Sequence, residues 1–96
     1  MEENRLNECR RIINETDREM ARLFEKRLDA VRGIAAWKKE HGLPILDAER
    51  ERVLLERNLT YLTKEEYRDD YRLFQQAVMD ISKDFQKRLT EKPQDA

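Results

Sequence analysis

Apolar side chains recur at intervals of three and four residues through most of this chain, which is the spacing of one face of an α-helix. The pattern breaks in two places and predicts helices over about residues 4–40, 48–59 and 64–89, with a polar tail over 91–96. The third helix carries the series Tyr67, Tyr71, Phe74, Val78, Ile81 and Phe85. We therefore predict an all-α fold of three helices, long, short and long, in a single domain over residues 1–96.

Local signals mark the ends of the predicted helices. Gly42 and Pro44 stop the first helix, because glycine tolerates a left-handed cap and proline cannot continue the hydrogen-bond ladder. Asp47 is placed to cap the second helix. Thr63 and Glu66 have the spacing of a capping box before the third helix.

The first predicted helix is too long to be covered by the other two. At 1.5 Å per residue, about 37 residues span about 55 Å. Its apolar seam runs through Leu6, Ile13, Met20 and Ile34. A seam of this length needs a partner helix, and a second copy of the chain is the simplest source, so we expect a homodimer.

Composition narrows the classes of function. Charged residues make up 43% of the chain, yet 20 basic and 21 acidic side chains nearly cancel, which disfavours nucleic-acid binding and an anionic membrane surface. No apolar run is long enough for a membrane span. One His and one Cys give no basis for a metal site. With one cysteine and no apolar N-terminal stretch, we expect a cytoplasmic protein.

Two cations interrupt the apolar columns of the first helix. Arg27 shares a heptad column with Met20, and Lys38 shares one with Val31. Arg27 and Lys38 lie about 20° apart around the helix and about 16 Å apart along it, on one face. An unpaired buried cation is costly, so each needs a carboxylate or an anionic ligand. Long stems that pack while their heads reach water explain the same positions, and both interpretations stay open.

Arg10 lies about 25 Å from Arg27 along the same helix, so one small ligand cannot contact both within one chain. An antiparallel partner helix would bring Arg10 of the partner subunit near residues 27–38. A solvated surface arginine is the alternative.

Two further groups share one helix face each. Asp47, Arg50 and Glu51 stand at the mouth of the second helix, where ordinary capping explains them equally well. Ser82 and Gln86 are one turn apart on the third helix, where an exposed pair or a satisfied hydrogen-bonded pair is the alternative.

Taken together, these residues resemble the all-helical, type II class of chorismate mutases over about residues 5–89. The matching elements are Arg10 with Ile13 and Asp17, Glu25-Lys26-Arg27, Lys38, Pro44-Ile45-Leu46-Asp47 leading into Ala48-Glu49-Arg50-Glu51, and Ser82 with Gln86. The sharpest part is the Asp-x-x-Arg-Glu element after a short loop that contains proline. The resemblance implies an intertwined six-helix homodimer with two sites, each built mainly by one subunit and completed by the other.

The resemblance also implies a role for each residue. Arg27 and Arg10 of the partner subunit would each hold a carboxylate of chorismate. Lys38 would contact a carboxylate and the breaking ether oxygen, and Gln86 would donate to that same oxygen. Glu51 would accept from the ring hydroxyl. The remaining pocket residues would be Asp47, Arg50 and Ser82.

The third helix admits a second register against the family pattern. Counting from Leu73-Phe74-Gln75 would move the two ligand positions to Ile81 and Phe85, which have no donors. Counting back from the Lys83-Asp84-Phe85-Gln86 end gives Ser82 and Gln86. We adopt the second count.

The implied reaction, chorismate to prephenate in aromatic amino acid biosynthesis, is a unimolecular pericyclic rearrangement that calls for no nucleophile, metal or cofactor. A millionfold acceleration requires about 8 kcal/mol, to which one preorganised donor contributes about 3 to 4 kcal/mol. An isochorismate pyruvate lyase on the same scaffold and a non-catalytic helical dimerisation or regulatory module remain alternatives. The intact Asp47-x-x-Arg50-Glu51 element favours the mutase.

Overall fold

The computed structural model of the chain describes residues 2–91. In this range the chain forms α1 (Glu2–Glu40), α2 (Ala48–Leu59), a 3-10 turn (Glu65–Tyr67) and α3 (Arg68–Glu91), and no strand occurs among them. The predicted all-α class with three helices is confirmed. Of the predicted polar tail, residue 91 belongs to α3, and residues 92–96 lie outside the described part of the chain.

None of the helices in residues 2–91 combines the length and the apolar character needed to cross a membrane.

The chain divides after Ala30 into two units, and the first consists of α1 up to that residue. Ion pairs one turn apart line its surface, including Arg11 with Glu8 and Arg22 with Glu19. The hydrogen bond from Arg11 holds the pKa of the Glu8 carboxyl below its ordinary value. Such exposed pairs support the helix locally, but each contributes little to overall stability.

Large apolar side chains of this first unit are exposed in the single chain. Six of them are between 43% and 56% exposed: Leu6, Ile12, Ile13, Met20, Leu23 and Phe24. Leu6, Ile13 and Met20 repeat every seven residues and therefore share one helix face. A continuous exposed apolar face of this kind is typical of an interaction surface.

The second unit contains the rest of α1, both other helices and the 3-10 turn. Its buried apolar side chains are Val31 and Ala35 of α1, Leu59 of α2 and Met79 of α3. α2 and the 3-10 turn both pack against α3. The end of α1 also reaches α3, where the Arg32 guanidinium lies over the Phe85 ring, 5.1 Å from its centroid.

The buried face of α3 is more polar than its sequence suggests. Its buried residues are Gln75, Met79, Ser82 and Gln86. Of the apolar series that predicted this helix, Phe74 and Ile81 are exposed in the single chain. The Gln75 side chain is satisfied across the helix interface, because Asn58 Nδ2 donates to its Oε1 at 2.7 Å. Polar groups can occupy this face because each buried amide or hydroxyl that finds a partner loses little on leaving water.

The predicted helix ends agree with the structure in two of three cases. Gly42 adopts a positive φ of 64° after α1. Asp47 caps α2, with its Oδ1 accepting from the Arg50 backbone N–H at 2.9 Å. The capping box at Thr63 is wrong: Lys64 precedes the 3-10 turn, with no side-chain capping bond, and α3 begins after that turn. In that turn the Tyr67 backbone N–H donates to the Lys64 carbonyl at 3.2 Å.

Candidate active site

Lys38 lies in the last turn of α1 and is partly buried. Its Nζ donates to the backbone carbonyl of Ile45 at 2.9 Å. The backbone N–H of Leu43 donates to the Lys38 carbonyl, also at 2.9 Å. These two bonds tie the connection between α1 and α2 to the end of α1. They hold an ammonium group beside the residues that lead into α2.

Glu51 lies in the first turn of α2, which the Asp47 cap holds in place. Its backbone N–H donates to the Asp47 carbonyl at 3.0 Å. Its carboxylate faces α3, where Lys83 Nζ lies 3.2 Å from Oε2 and 3.3 Å from Oε1. This ion pair is partly buried, and it joins two helices that are far apart in the sequence. The hydrogen bond from Lys83 to Glu51 is the main reason that the pKa of Lys83 is raised.

Ser82 and Gln86 are both buried on α3, one turn apart. Ser82 Oγ donates to the Val78 carbonyl at 2.8 Å. By contrast, Ile81 is exposed and Phe85 is only partly buried, and neither carries a side-chain donor. Of the two registers considered for the third helix, the one with Ser82 and Gln86 therefore points polar groups into the protein.

Within the described chain, the side-chain amide of Gln86 lacks a hydrogen-bond partner at its oxygen. Its side-chain Oε1 is buried and has no hydrogen-bond partner among residues 2–91, and the residue is only 7% exposed. Leaving a buried amide group unpaired costs about 1 to 3 kcal/mol, so such groups are rare, and a water, an ion or a ligand is the usual partner of those that the protein leaves unpaired. A half-turn of the terminal torsion exchanges the oxygen with the NH₂ group, so the same position can offer a donor.

The other predicted site residues of the second unit are exposed. Asp47 uses one carboxylate oxygen for the cap of α2. The Arg50 backbone supplies the matching N–H, and its side chain is exposed. Helix capping therefore explains the positions of the Asp47 carboxylate and the Arg50 backbone, which is the alternative to a binding role for these residues.

Two predicted residues, Arg10 and Arg27, belong to the first unit. Arg10 is exposed, whereas Arg27 is partly buried. Burial disfavours the charged guanidinium and lowers the pKa of Arg27 below its ordinary value. An arginine still remains charged at any physiological pH, so Arg27 keeps its charge at this position.

A cavity of about 510 Å³ lies between the connection before α2 and the second half of α3. Its walls are formed by Ile45, Leu46, Asp80, Lys83, Asp84 and Lys87. Ile45 and Lys83, the partners of Lys38 and Glu51, both line this cavity, but none of the predicted site residues does. In residues 2–91 no group of three or more His, Cys, Asp or Glu side chains is arranged to hold a metal ion.

Sequence reasoning missed Lys83 and the hydrogen-bonded pair of Asn58 and Gln75. Lys83 is one of 20 basic residues, and no local pattern distinguishes it from the others. Its partner Glu51 is 32 residues away, so only the packing of α2 on α3 reveals the contact. The sequence feature that could have pointed to Lys83 is its position directly after Ser82, which is a predicted site residue.

Comparison with known proteins adds a relative and a family. Over 51 residues, 53% of this chain, the sequence is 43% identical to the T-protein of Haemophilus influenzae. The match spans only 14% of the length of that relative. No solved structure matches the chain. Residues 9–87, most of the chain, match the model of the family chorismate mutase type II. The protein therefore belongs to the chorismate mutase type II family.

Proposed function

We propose that the protein is a chorismate mutase, which converts chorismate to prephenate. Family membership over residues 9–87 supports this activity, and the T-protein relative is similar to just over half of the chain. The observation that carries the proposal is the buried Gln86 amide, whose Oε1 has no hydrogen-bond partner within residues 2–91. With the amide turned by half a rotation, its NH₂ group would take that position and would donate to a ligand oxygen that gains electron density during a reaction.

The proposed mechanism is electrostatic and conformational. The substrate is a flexible dianion whose rearrangement breaks an ether bond within the same molecule. Lys38 Nζ and Gln86 Nε2 donate to the ether oxygen as that bond breaks, and their stabilisation grows with the charge on the oxygen. Glu51 accepts from the ring hydroxyl, and Asp47, Arg50 and Ser82 line the pocket. None of these contacts requires a proton to be transferred.

Two arginines hold the carboxylates. Arg27 binds one, and Arg10 of the partner subunit binds the other, because a guanidinium pairs with a carboxylate through two parallel hydrogen bonds. Holding both ends of the substrate restricts it to the compact conformation in which the reacting atoms meet. The site is therefore complete only in a homodimer.

The exposed apolar face of the first unit supports that dimer. Leu6, Ile13 and Met20 follow one another at heptad spacing and are exposed in the single chain. Arg27 falls in the same heptad column, so a partner helix on this face would lie beside Arg27. We propose the intertwined six-helix dimer of the family as the active form.

Product analysis tests the activity. Purified protein is incubated separately with chorismate and with isochorismate, and the products are separated and identified. The proposal requires prephenate from chorismate at a rate far above the spontaneous one. Pyruvate released from isochorismate, without prephenate from chorismate, would identify a lyase instead. No turnover of either compound would leave a non-catalytic helical module as the explanation.

Arg27→Met separates an enzyme from a structural module. Methionine is similar in length to the aliphatic stem of arginine and is a good helix former, so the variant is expected to keep the helix and the fold. Arginine stays charged between about pH 5 and pH 9, so any difference in stability should not vary over that range.

Activity should respond strongly. If Arg27 holds a substrate carboxylate, Arg27→Met lowers kcat/KM by about 100-fold, as expected for the loss of a charge-assisted contact. Thermal unfolding and prephenate formation are measured on the same preparation. A folded variant that is as active as wild type would contradict the proposed role and favour the module.

A further inference from the structure

Lys83 engages the Glu51 carboxylate in a nearly symmetric way. Its Nζ lies 3.2 Å from one carboxylate oxygen and 3.3 Å from the other. An ammonium nearly equidistant from the two oxygens restrains the position of the carboxylate. A carboxylate has about four lone-pair directions, so acceptors remain for a second donor.

Solvent screens this pair less than it screens the other ion pairs in the described chain. The Lys83 and Glu51 side chains are 29% and 23% exposed, whereas the pairs formed by Arg11, Arg22, Arg52 and Arg88 involve side chains that are more than half exposed. Lys83 also lies 3.5 Å from Asp80, but that carboxylate is 59% exposed. Less solvent means less screening, so Glu51 is the dominant partner of Lys83.

Lys83 connects the two walls of the proposed site. It follows the buried Ser82 directly on α3, and its partner Glu51 lies in the first turn of α2. The Asp47 cap fixes the backbone of that turn, and Lys83 fixes the end of the side chain. A glutamate held at both ends loses less conformational entropy when it accepts a hydrogen bond than a freely rotating one does.

We propose that Lys83 is a positioning residue, which orients the Glu51 carboxylate so that its remaining lone pairs accept from the hydroxyl group of the substrate ring. The inference rests on the proposed function, because it takes Glu51 as the acceptor for that hydroxyl. Lys83 itself does not touch the substrate. Its effect on catalysis passes entirely through Glu51.

Kinetics of Lys83→Met test the inference. The ring hydroxyl keeps its bonds during the rearrangement, so a contact with it contributes about equally in the ground state and in the transition state. Lys83→Met is therefore expected to raise KM about five- to tenfold and to change kcat less than twofold. Lys83→Arg retains a cation within reach and is expected to recover most of the lost affinity.

Two comparisons separate positioning from other effects. Lys87→Met removes one ammonium from the same cavity wall, one turn further along α3, and should leave KM unchanged. In a Glu51→Gln background, Lys83→Met should add little to the loss, because the group through which it acts has already been altered. Circular dichroism of each variant establishes that the fold is retained.

The outcomes distinguish this inference from the proposed function. A wild-type protein that does not turn over chorismate overturns both. Wild-type turnover that Lys83→Met leaves unchanged overturns the positioning role alone. The role is also overturned if the losses from Lys83→Met and Glu51→Gln multiply in the double variant, because Lys83 would then act independently of Glu51. It is likewise overturned if Lys87→Met raises KM equally, because Lys83 would then act only as a surface charge.

Discussion

At the residue scale, Lys38 is the group whose charge matters most to the proposed chemistry. Lys38→Ala is expected to lower kcat about 10²- to 10³-fold, the usual loss when one preorganised donor to a developing negative charge is removed. The Ile45 carbonyl also loses its hydrogen bond, at a cost of about 1 kcal/mol, which is too little to unfold the chain. Steady-state kinetics with chorismate and thermal unfolding measure the two effects separately.

Lys39 supplies the control for this substitution. It is the next residue of α1, carries the same charge and is exposed. Lys39→Ala should therefore change neither the rate nor the stability appreciably. If Lys38→Ala retained a rate near that of wild type, Lys38 would not be the donor to the ether oxygen.

Gln86→Glu tests the second donor through its pH dependence. An amide donates at every pH, whereas a carboxyl group donates only when it is protonated. Activity of the variant should therefore be low at neutral pH and should rise as the pH falls through the pKa of the new carboxyl group. Burial disfavours the charged form, so that pKa should exceed the ordinary glutamic acid value of about 4.3.

The measurement is kcat/KM between about pH 4 and pH 8 for the variant and for wild type, with substrate and buffer held constant. Wild type should vary much less over this range. If the variant's profile ran parallel to that of wild type, Gln86 would not donate to the reacting oxygen, and the buried amide would need another explanation.

Individual contacts were predictable from the sequence only where they are local. The Asp47 cap and the Gly42 turn were recognised because each depends on residues within one helical turn. The Lys83 to Glu51 ion pair was not recognised, because it depends on how α2 packs on α3. The roles of Lys38, Glu51 and Gln86 come from resemblance to a family and stay predictions until they are measured.

At the element scale, α1 is the helix that exposes an apolar face in the single chain. Ile13 is 56% exposed in the single chain, so a charged side chain there disturbs no packing within it. In the proposed dimer the same carboxylate would be buried against apolar groups, at a cost of several kcal/mol. Ile13→Glu is therefore expected to convert the dimer to a monomer while the helices persist.

Light scattering after size-exclusion chromatography measures the change. Wild type should have twice the 11.7 kDa mass of one chain, and Ile13→Glu should have the mass of one chain. Asn14→Glu adds the same charge at the neighbouring exposed position and should remain dimeric. A wild-type mass of 11.7 kDa, or an Ile13→Glu protein of twice that mass, would contradict this face as the dimer interface.

The apolar periodicity of the sequence predicts that the three helices exist, but it does not predict which of their faces are buried. The three helices were predicted because their apolar series keep the helical period over many turns. The start of α3 was mispredicted, since a 3-10 turn replaces the expected capping box. The polar inner face of α3 was not predicted either. Gln75 is buried there and accepts a hydrogen bond from Asn58 of α2, a contact that the periodicity of the sequence does not indicate.

At the scale of the whole molecule, the proposed site is shared between two chains, and this arrangement predicts complementation. In the proposed dimer, Arg10→Ala removes a residue that a subunit contributes to its partner's site. Lys38→Ala removes a residue from the subunit's own site. In a mixed dimer, both lesions therefore fall in the same site, and the second site is intact. Neither variant alone contains an intact site.

Refolding equal amounts of the two variants together should form mixed dimers in about half of the population, each with one intact site of two. Prephenate formation should thus recover to about a quarter of the wild-type rate, far above the mean of the separate variants. A mixture of Lys38→Ala with Glu51→Gln is the control: both residues come from the same subunit of a site, so every site carries a lesion and no recovery is expected. Equal recovery in both mixtures, or none in the first, would show that Arg10 does not complete the partner's site.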